Sequence, residues 1–337
     1  MHVQVKKGTG SIRMKDSFGR EIEYMRVSVT DRCSLRCRYC MPEGIKLTDR
    51  NEILSFEEIV RVCECAAKLG INTVRVTGGE PLARRDCPKL ISMIKGISGI
   101  EKVTMTTNGV LLREHLDELI LAGIDGINIS LDTLKAERYE YITGSDCLFR
   151  VTGAVEACLD AGISLKINSV IISGVNDDEI TDLASLAKEN PLDVRFIEMM
   201  PIGSGRDYPP LRGEDVRRKV EEKFGKGKKD ISLHGKGPAR YYRHDGFKGS
   251  IGYIDAVNNS FCSSCNRVRL TSDGKLKSCL CYDEGADLKE ALRTEGMHDG
   301  ESVTDLIREA VLSKPLMHCF DETEKITEKK RMVSIGG

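Results

Sequence analysis

Apolar and polar positions alternate along the first part of the chain in a repeating rhythm. Five short runs rich in apolar and β-branched residues, Glu23 to Thr30, Thr73 to Thr77, Lys102 to Thr106, Gly126 to Leu131 and Ser164 to Ile172, are each followed by a longer stretch with helical spacing. A sixth run, Asp193 to Met199, closes the series. The helix expected over Ser55 to Leu69 opens on a capping-box pattern, Ser55 with Glu58 three residues on. Leu69-Gly70-Ile71, Ala122-Gly123-Ile124 and Ala161-Gly162-Ile163 each place glycine where a helix ends in the left-handed conformation, followed by an apolar residue that can fold back on the last turn. Strands alternating with helices through short returns predict a parallel sheet with right-handed crossovers. Six units are too few for a closed eight-stranded barrel, so the expected fold is α/β: an incomplete (β/α)6 TIM-like barrel whose open side is closed by a C-terminal α+β region.

The rhythm stops after Pro201. Glycine and lysine crowd Phe224 to Asp230, which reads as an exposed loop or linker, and a boundary falls near residues 205–230. Two units are therefore expected, 1–225 and 226–337. Short strands (Ala239 to Arg243, Gly249 to Ile254) and later helices (Leu288 to Arg293, Val303 to Leu312) follow in the second.

Composition narrows the function. The chain has 337 residues, 51 Lys plus Arg against 52 Asp plus Glu, and a net charge of −1, so no global field draws it to nucleic acid or to an anionic membrane. Any polyanion site must be built locally. Neither a signal-peptide core nor a run long enough to span a bilayer stands in the sequence, which predicts a cytoplasmic protein. The 13 cysteines are therefore expected as free thiols, and those that cluster suggest metal or redox chemistry.

Cys33, Cys37 and Cys40 form a C-x3-C-x2-C triad directly after the first strand. Three thiolates on one tight loop can wrap a cubane iron-sulfur cluster and leave its fourth iron without a protein ligand. A structural zinc site would want a fourth ligand, and no histidine stands near. Other loops of the same barrel face are distinctive: Thr77-Gly78-Gly79-Glu80-Pro81, Thr106-Thr107-Asn108-Gly109 and Ser130-Leu131-Asp132. The glycine pair lets backbone approach a ligand and leaves carbonyls and the Glu80 carboxylate to receive an ammonium group. Downstream, Cys262, Cys265 and Cys279 form a second triad, C-x2-C-x13-C, with Cys281 trailing. It suits either a second open cluster or, with Cys281, a four-cysteine zinc ribbon. Arg267 and Arg269 alternate beside it and can project to one side. Arg26, Arg75 and Lys166 lie within runs otherwise mostly apolar, where an unpartnered charge is costly, and a buried anionic ligand is their simplest common partner.

Together these features resemble the radical S-adenosylmethionine superfamily. The resemblance implies a 4Fe-4S cluster on Cys33, Cys37 and Cys40 whose open iron chelates the methionine end of S-adenosylmethionine, releasing a 5′-deoxyadenosyl radical on reduction. It places the methionine ammonium at Gly79, the ribose or carboxylate region at Ser130, and the adenine at the Tyr39 backbone and Met200, with the adjacent Met199 leaving that register open by one. More narrowly, the chain is similar almost end to end to the GTP-cyclising family of molybdenum cofactor biosynthesis. The match runs through Asp16-Ser-Phe-Gly-Arg20, Arg26 to Cys33, Arg75 to Pro81, the second triad with Asn266-Arg-Val-Arg-Leu-Thr, Lys314-Pro315 with His318, and the terminal Ile335-Gly336-Gly337. That family resemblance implies a lyase with two 4Fe-4S clusters, the second on Cys262, Cys265 and Cys279 anchoring guanine. It assigns GTP to Arg26, Arg75, Thr106, Lys166, Arg267, Val268 and Arg269, and makes Arg267, Arg269, Gly336 and Gly337 needed for activity, the tail reaching into the pocket. An electron donor such as flavodoxin or ferredoxin, hand-over of the product to cyclic pyranopterin monophosphate synthase, and a homodimer are the partnerships it allows. A peptide-modifying maturase and a non-catalytic electron carrier or zinc scaffold are the competing readings. The other seven cysteines, Cys63, Cys65, Cys87, Cys147, Cys158, Cys281 and Cys319, are expected as small buried hydrophobes.

Overall fold

The computed structural model describes residues 13–41, 44–209, 211–232, 234–258, 261–294 and 301–336. Six parallel strands form its centre: β1 (Tyr24–Ser28), β2 (Thr73–Thr77), β3 (Lys102–Thr107), β4 (Gly126–Ser130), β5 (Leu165–Ile171) and β6 (Asp193–Glu198), each within two residues of the run that predicts it at either end. The helices α1 (Phe56–Lys68), α2 (Cys87–Lys95), α3 (Leu112–Leu121), α4 (Ala136–Thr143), α5 (Leu148–Asp160) and α6 (Ile180–Glu189) cover the outer face. Ser55 and Glu58 form the reciprocal capping box. Gly70, Gly123 and Gly162 all have positive φ, and the residue after each donates its N–H five residues back, closing three Schellman motifs: Ile71 to Ala66, Ile124 to Leu119 and Ile163 to Cys158.

Within the strands the alternation is inverted relative to a filled barrel. Met25 and Val27 of β1 and Val74 and Val76 of β2 point outward into the helices and are fully or almost fully buried there. Tyr24, Arg26, Arg75 and Thr77 line the inside. A closed eight-stranded barrel packs its interior with branched apolar side chains. Here the inner face of β1 and β2 turns arginines, a tyrosine and a threonine toward a hollow interior.

The C-terminal part does not stand aside as a separate layer. Its strands extend the sheet at both edges, giving the order β12-β11-β10-β1-β2-β3-β4-β5-β6-β9-β8-β7, with β7 (Lys228–Lys229), β8 (Arg240–Arg243), β9 (Ile251–Ile254), β10 (Arg267–Leu270), β11 (Lys275–Lys277) and β12 (Ala286–Asp287). β9 runs parallel to β6 and β10 parallel to β1, so the chain between them returns from one end of the barrel to the other across its open side. That return carries Cys262 and Cys265. Helices α7 (Gly213–Phe224), α8 (Leu288–Arg293) and α9 (Glu301–Leu312) complete the outer layer. The glycine- and lysine-rich stretch expected as a plain loop departs from expectation, because Lys228 and Lys229 pair with β8 as a short edge strand. Two exposed lysines on the last strand discourage further pairing, which reconciles a basic, solvated sequence with strand geometry.

Replacing Ser55 with Ala removes one half of the capping box and should lower stability by about 1 kcal/mol in denaturant unfolding.

Candidate active site

One large cavity fills the barrel interior, and both cysteine triads line it. The first follows the C-terminal end of β1. The second precedes the N-terminal end of β10 and follows antiparallel β11, so it stands toward the other end of the cavity.

The first triad's loop is held from three sides. The Arg36 and Arg38 N–H groups donate to the Thr143 and Ile142 carbonyls at the end of α4, at 2.8 and 3.0 Å. Gly79 N–H donates to Thr30 O (2.6 Å) and Glu80 N–H to Arg32 O (2.8 Å), so the loop after β2 is zipped along the chain leading into Cys33. A Cβ on Gly79 would lie 2.4 Å from Arg32 O, and one on Gly78, at φ +159°, 2.6 Å from Thr30 O. The glycine pair is thus required by backbone against backbone. Tyr39 donates its hydroxyl to Asp132 (2.6 Å), tying the loop to the end of β4.

The Glu80 carboxylate is a correction to the sequence reading, which left it to receive an ammonium group. It accepts from Thr107 Oγ1 (2.8 Å), Asn108 N (2.7 Å) and Leu82 N (3.0 Å), so it joins the loops after β2 and β3. Burial pushes its pKa up to about 6 against those hydrogen bonds. A buried carboxylate with three donors is structural cement rather than a free acceptor.

Below the first triad the strand register sets three arginines side by side. Arg269 of β10 is opposite Arg26 of β1, and Arg26 is opposite Arg75 of β2. All three line the cavity, with Arg267 one pleat further down. Burial and then Arg269 hold the Arg26 pKa well below the ordinary arginine range. Burial, then Arg267, bring Arg269 down to about 10. Like charges opposite one another on one sheet face are destabilising, and an anion between them reverses the sign. This row concentrates positive charge locally in a chain whose net charge is −1.

Thr106, Ser130, Tyr39, Gly79, Met199 and Met200 also line the cavity. Two residues stand differently. Lys166 faces an adjoining smaller pocket and forms an ion pair with Asp193, so its compensating charge comes from the protein, not from an anionic ligand as the sequence reading supposes. Val268 turns its side chain into the core. Gly336 lies against Ser28 and Thr77, and its carbonyl accepts from Arg269 Nη1 (2.9 Å). Gly337 lies outside the described residues. Arg195 of β6 is also buried and lines the cavity, and as a charge inside an apolar run it carries the same signal that marks Arg26 and Arg75. It donates to Asn128 Oδ1 (2.6 Å).

The donor chemistry of both triads fits iron-sulfur clusters. Asn108 Nδ2 donates to Cys33 Sγ (3.6 Å) and the Val333 backbone N–H reaches Cys40, contacts that stabilise thiolate. Burial pushes Cys40 up to about 12, a cost that a cluster's iron removes by binding the anion. At the second triad burial also raises Cys265, but Arg267 and Lys314 outweigh it and bring the thiol down to about 7. Cys281 turns away from the cavity into a small apolar core, its sulfur 3.1 Å from that of Cys319. Cys281 is therefore not placed with Cys262, Cys265 and Cys279 as a four-cysteine zinc ribbon requires. Cys63, Cys65, Cys87 and Cys158 are buried thiols, as expected.

Fold and thiol triads define the class. Residues 27–187 match the Radical SAM superfamily and residues 192–320 match Molybdenum Cofactor Synthesis C. The crystal structure of Streptococcus suis SuiB bound to S-adenosylmethionine superposes with a TM-score of 0.63 at 14% identity, over 92% of this chain and 76% of that one, which shows a shared fold. A GTP 3′,8-cyclase of Clostridium perfringens (strain 13 / Type A) is 42% identical over 96% of this chain and 100% of its own length. One of Syntrophomonas wolfei is 43% identical over the same shares. The chain belongs to the GTP 3′,8-cyclase family of radical S-adenosylmethionine enzymes. Among the described residues no helix is long and apolar enough to cross a membrane.

Two outcomes test this geometry. Gly79→Ala forces the loop after β2 off Arg32 and should sharply reduce iron bound at the first triad, read by iron and sulfide analysis against the parent. Burial raises the Asp132 pKa from 3.8 to about 6, so the folded chain binds this proton first. Its contribution is present at low pH and lost as pH rises through about 6. Between pH 7 and pH 4.5 the cluster-free wild type should gain about 2 kcal/mol relative to Asp132→Asn in denaturant unfolding.

Proposed function

We propose that this chain converts GTP and S-adenosylmethionine to 3′,8-cyclo-7,8-dihydro-GTP, the first step of molybdopterin biosynthesis. The observation that carries the reading is the in-register row of Arg269, Arg26 and Arg75, held inside a hollow barrel between two open cysteine triads. A triphosphate brings roughly four negative charges, and guanidinium groups offset them without releasing a proton.

Cys33, Cys37 and Cys40 would hold one 4Fe-4S cluster, and Cys262, Cys265 and Cys279 the other. Bound there with S-adenosylmethionine, the first cluster supplies a 5′-deoxyadenosyl radical able to take the ribose 3′ hydrogen of GTP. The chain's own residues bind, orient and shield. Backbone at Gly79 receives the methionine ammonium, Ser130 the ribose or carboxylate region, and the Tyr39 backbone with Met200 the adenine. Arg26, Arg75 and Arg269 grip the phosphates, Thr106 the GTP ribose, and Arg267 with the Val268 backbone lies beside the guanine end. The tail closes the mouth, since Ile335 is fully buried and Gly336 is hydrogen-bonded to Arg269. Excluding water and oxygen in this way protects a carbon radical, and a bound substrate poised against the 3′ position confines it. The electron comes from a flavodoxin- or ferredoxin-like donor, and the product passes to cyclic pyranopterin monophosphate synthase.

Anaerobic incubation with S-adenosylmethionine and reductant should yield 5′-deoxyadenosine and cyclised nucleotide with GTP, and neither in step with a peptide substrate. Cys262→Ala should lose cyclisation while keeping the first cluster's iron. A wild-type rate of cyclisation in that variant would refute the guanine-anchoring role.

A further inference from the structure

Two motifs of the sequence have no part in the chemistry above: Asp16 to Arg20, just before β1, and Lys314-Pro315 with His318, just after α9. The fold brings them to one place. Buried Asp16 accepts the backbone N–H groups of Phe18 and Arg20 on Oδ1, both at 2.9 Å, and Arg20 Nε on Oδ2 at 2.5 Å. Gly19 supplies the positive φ that this tight turn needs. The carboxylate therefore neutralises the guanidinium and aims its two outer nitrogens in one direction.

Those nitrogens end at the second triad. Arg20 Nη1 donates to the carbonyl oxygens of Cys262 (2.8 Å) and Leu316 (2.9 Å), and Nη2 to that of Pro315 (2.7 Å). Lys314, buried next in the chain, donates Nζ to Arg267 O (2.9 Å) and to Ser278 O. The His318 backbone N–H then meets Cys262 Sγ at 3.4 Å. Cys262 itself, the strand that starts two residues after Cys265, and the residue before Cys279 are thus all fastened to two adjacent buried cations. A guanidinium's rigid fork sets the directions of several acceptors at once, whereas an ammonium on a flexible stem does not.

We propose that Arg20 and Lys314 are positioning residues for the second triad: they fix the mutual spacing of its three thiols and the direction of its open corner toward the nucleotide. The proposal rests on the reading of that triad as a cluster site facing GTP. Cysteine spacing alone cannot do this work, because Cys279 approaches from a different strand than Cys262 and Cys265.

The test isolates the second site. A parent chain carrying Cys33→Ala, Cys37→Ala and Cys40→Ala, reconstituted anaerobically, leaves only the second cluster visible to electron paramagnetic resonance. Adding Arg20→Lys should keep iron within about twofold of that parent while raising the GTP concentration that half-shifts the reduced spectrum about tenfold, near 1.4 kcal/mol. An unchanged spectrum and unchanged half-shift would overturn the proposal. So would equal iron loss at both sites when Arg20→Lys is placed in the chain with both triads intact, since that marks a general structural role. Should Arg20→Lys lose its cooperative thermal transition, Asp16→Asn, which frees the fork without removing it, is read in the same way. If the parent itself gives no response to GTP, the nucleotide reading falls, and iron occupancy of Arg20→Ala decides the brace separately: below half the parent's upholds it, and equal occupancy overturns it.

Discussion

Burying positive charge in the middle of an open parallel sheet is the constraint on which the rest of the structure depends. Arg269, Arg26 and Arg75 meet in register on the inner face, where each raises the cost of its neighbours' charge. Such a row is tolerable only if the opposite face carries the hydrophobic stabilisation. Met25, Val27, Val74 and Val76 do this by packing outward against helices, and β3, β4 and β5 send Val103, Ile127 and Ile167 into the same core. The barrel can then stay hollow, and the hollow accepts a polyanion.

The two ends of the hollow are built by different means. At the end carrying Cys33, Cys37 and Cys40, loops after successive strands are sewn together by backbone pairing and by buried carboxylates, Glu80 to the third loop and Asp132 to Tyr39. At the other end, segments remote in sequence are gathered by buried cations onto carbonyl oxygens. The electrostatics differ accordingly: burial and carboxylate neighbours disfavour thiolate at the first triad, while arginine and lysine favour it at Cys265. The C-terminal segment joins these ends, because it extends both edges of the sheet and brings Gly336 back against Ser28, Thr77 and Arg269.

Much of this was legible from local pattern. Strand and helix spans, the Ser55 cap, the three glycine helix ends and both triads depend on neighbours within a few residues, so spacing alone reveals them. Arg26 and Arg75 announced themselves as charges inside apolar runs. Arg195 carries the same mark. The role of Glu80 is not legible locally because its partners, Thr107 and Asn108, lie on another loop, nor is the compensation of Lys166, because Asp193 belongs to the next strand.

By itself the sequence determined which residue types stand at which periodicity, and hence an open (β/α)6 sheet with two cysteine triads and a local rather than global positive charge. Only the tertiary structure decided the register that sets three arginines abreast, the use of the C-terminal strands as both edges of one sheet, the withdrawal of Cys281 to Cys319, and the reach of Arg20 across 242 positions to Cys262. The reason is physical. Periodicity, caps and turns arise from interactions along a few bonds of chain, whereas register and charge compensation depend on which distant segments come to share a face, and no local pattern records that choice.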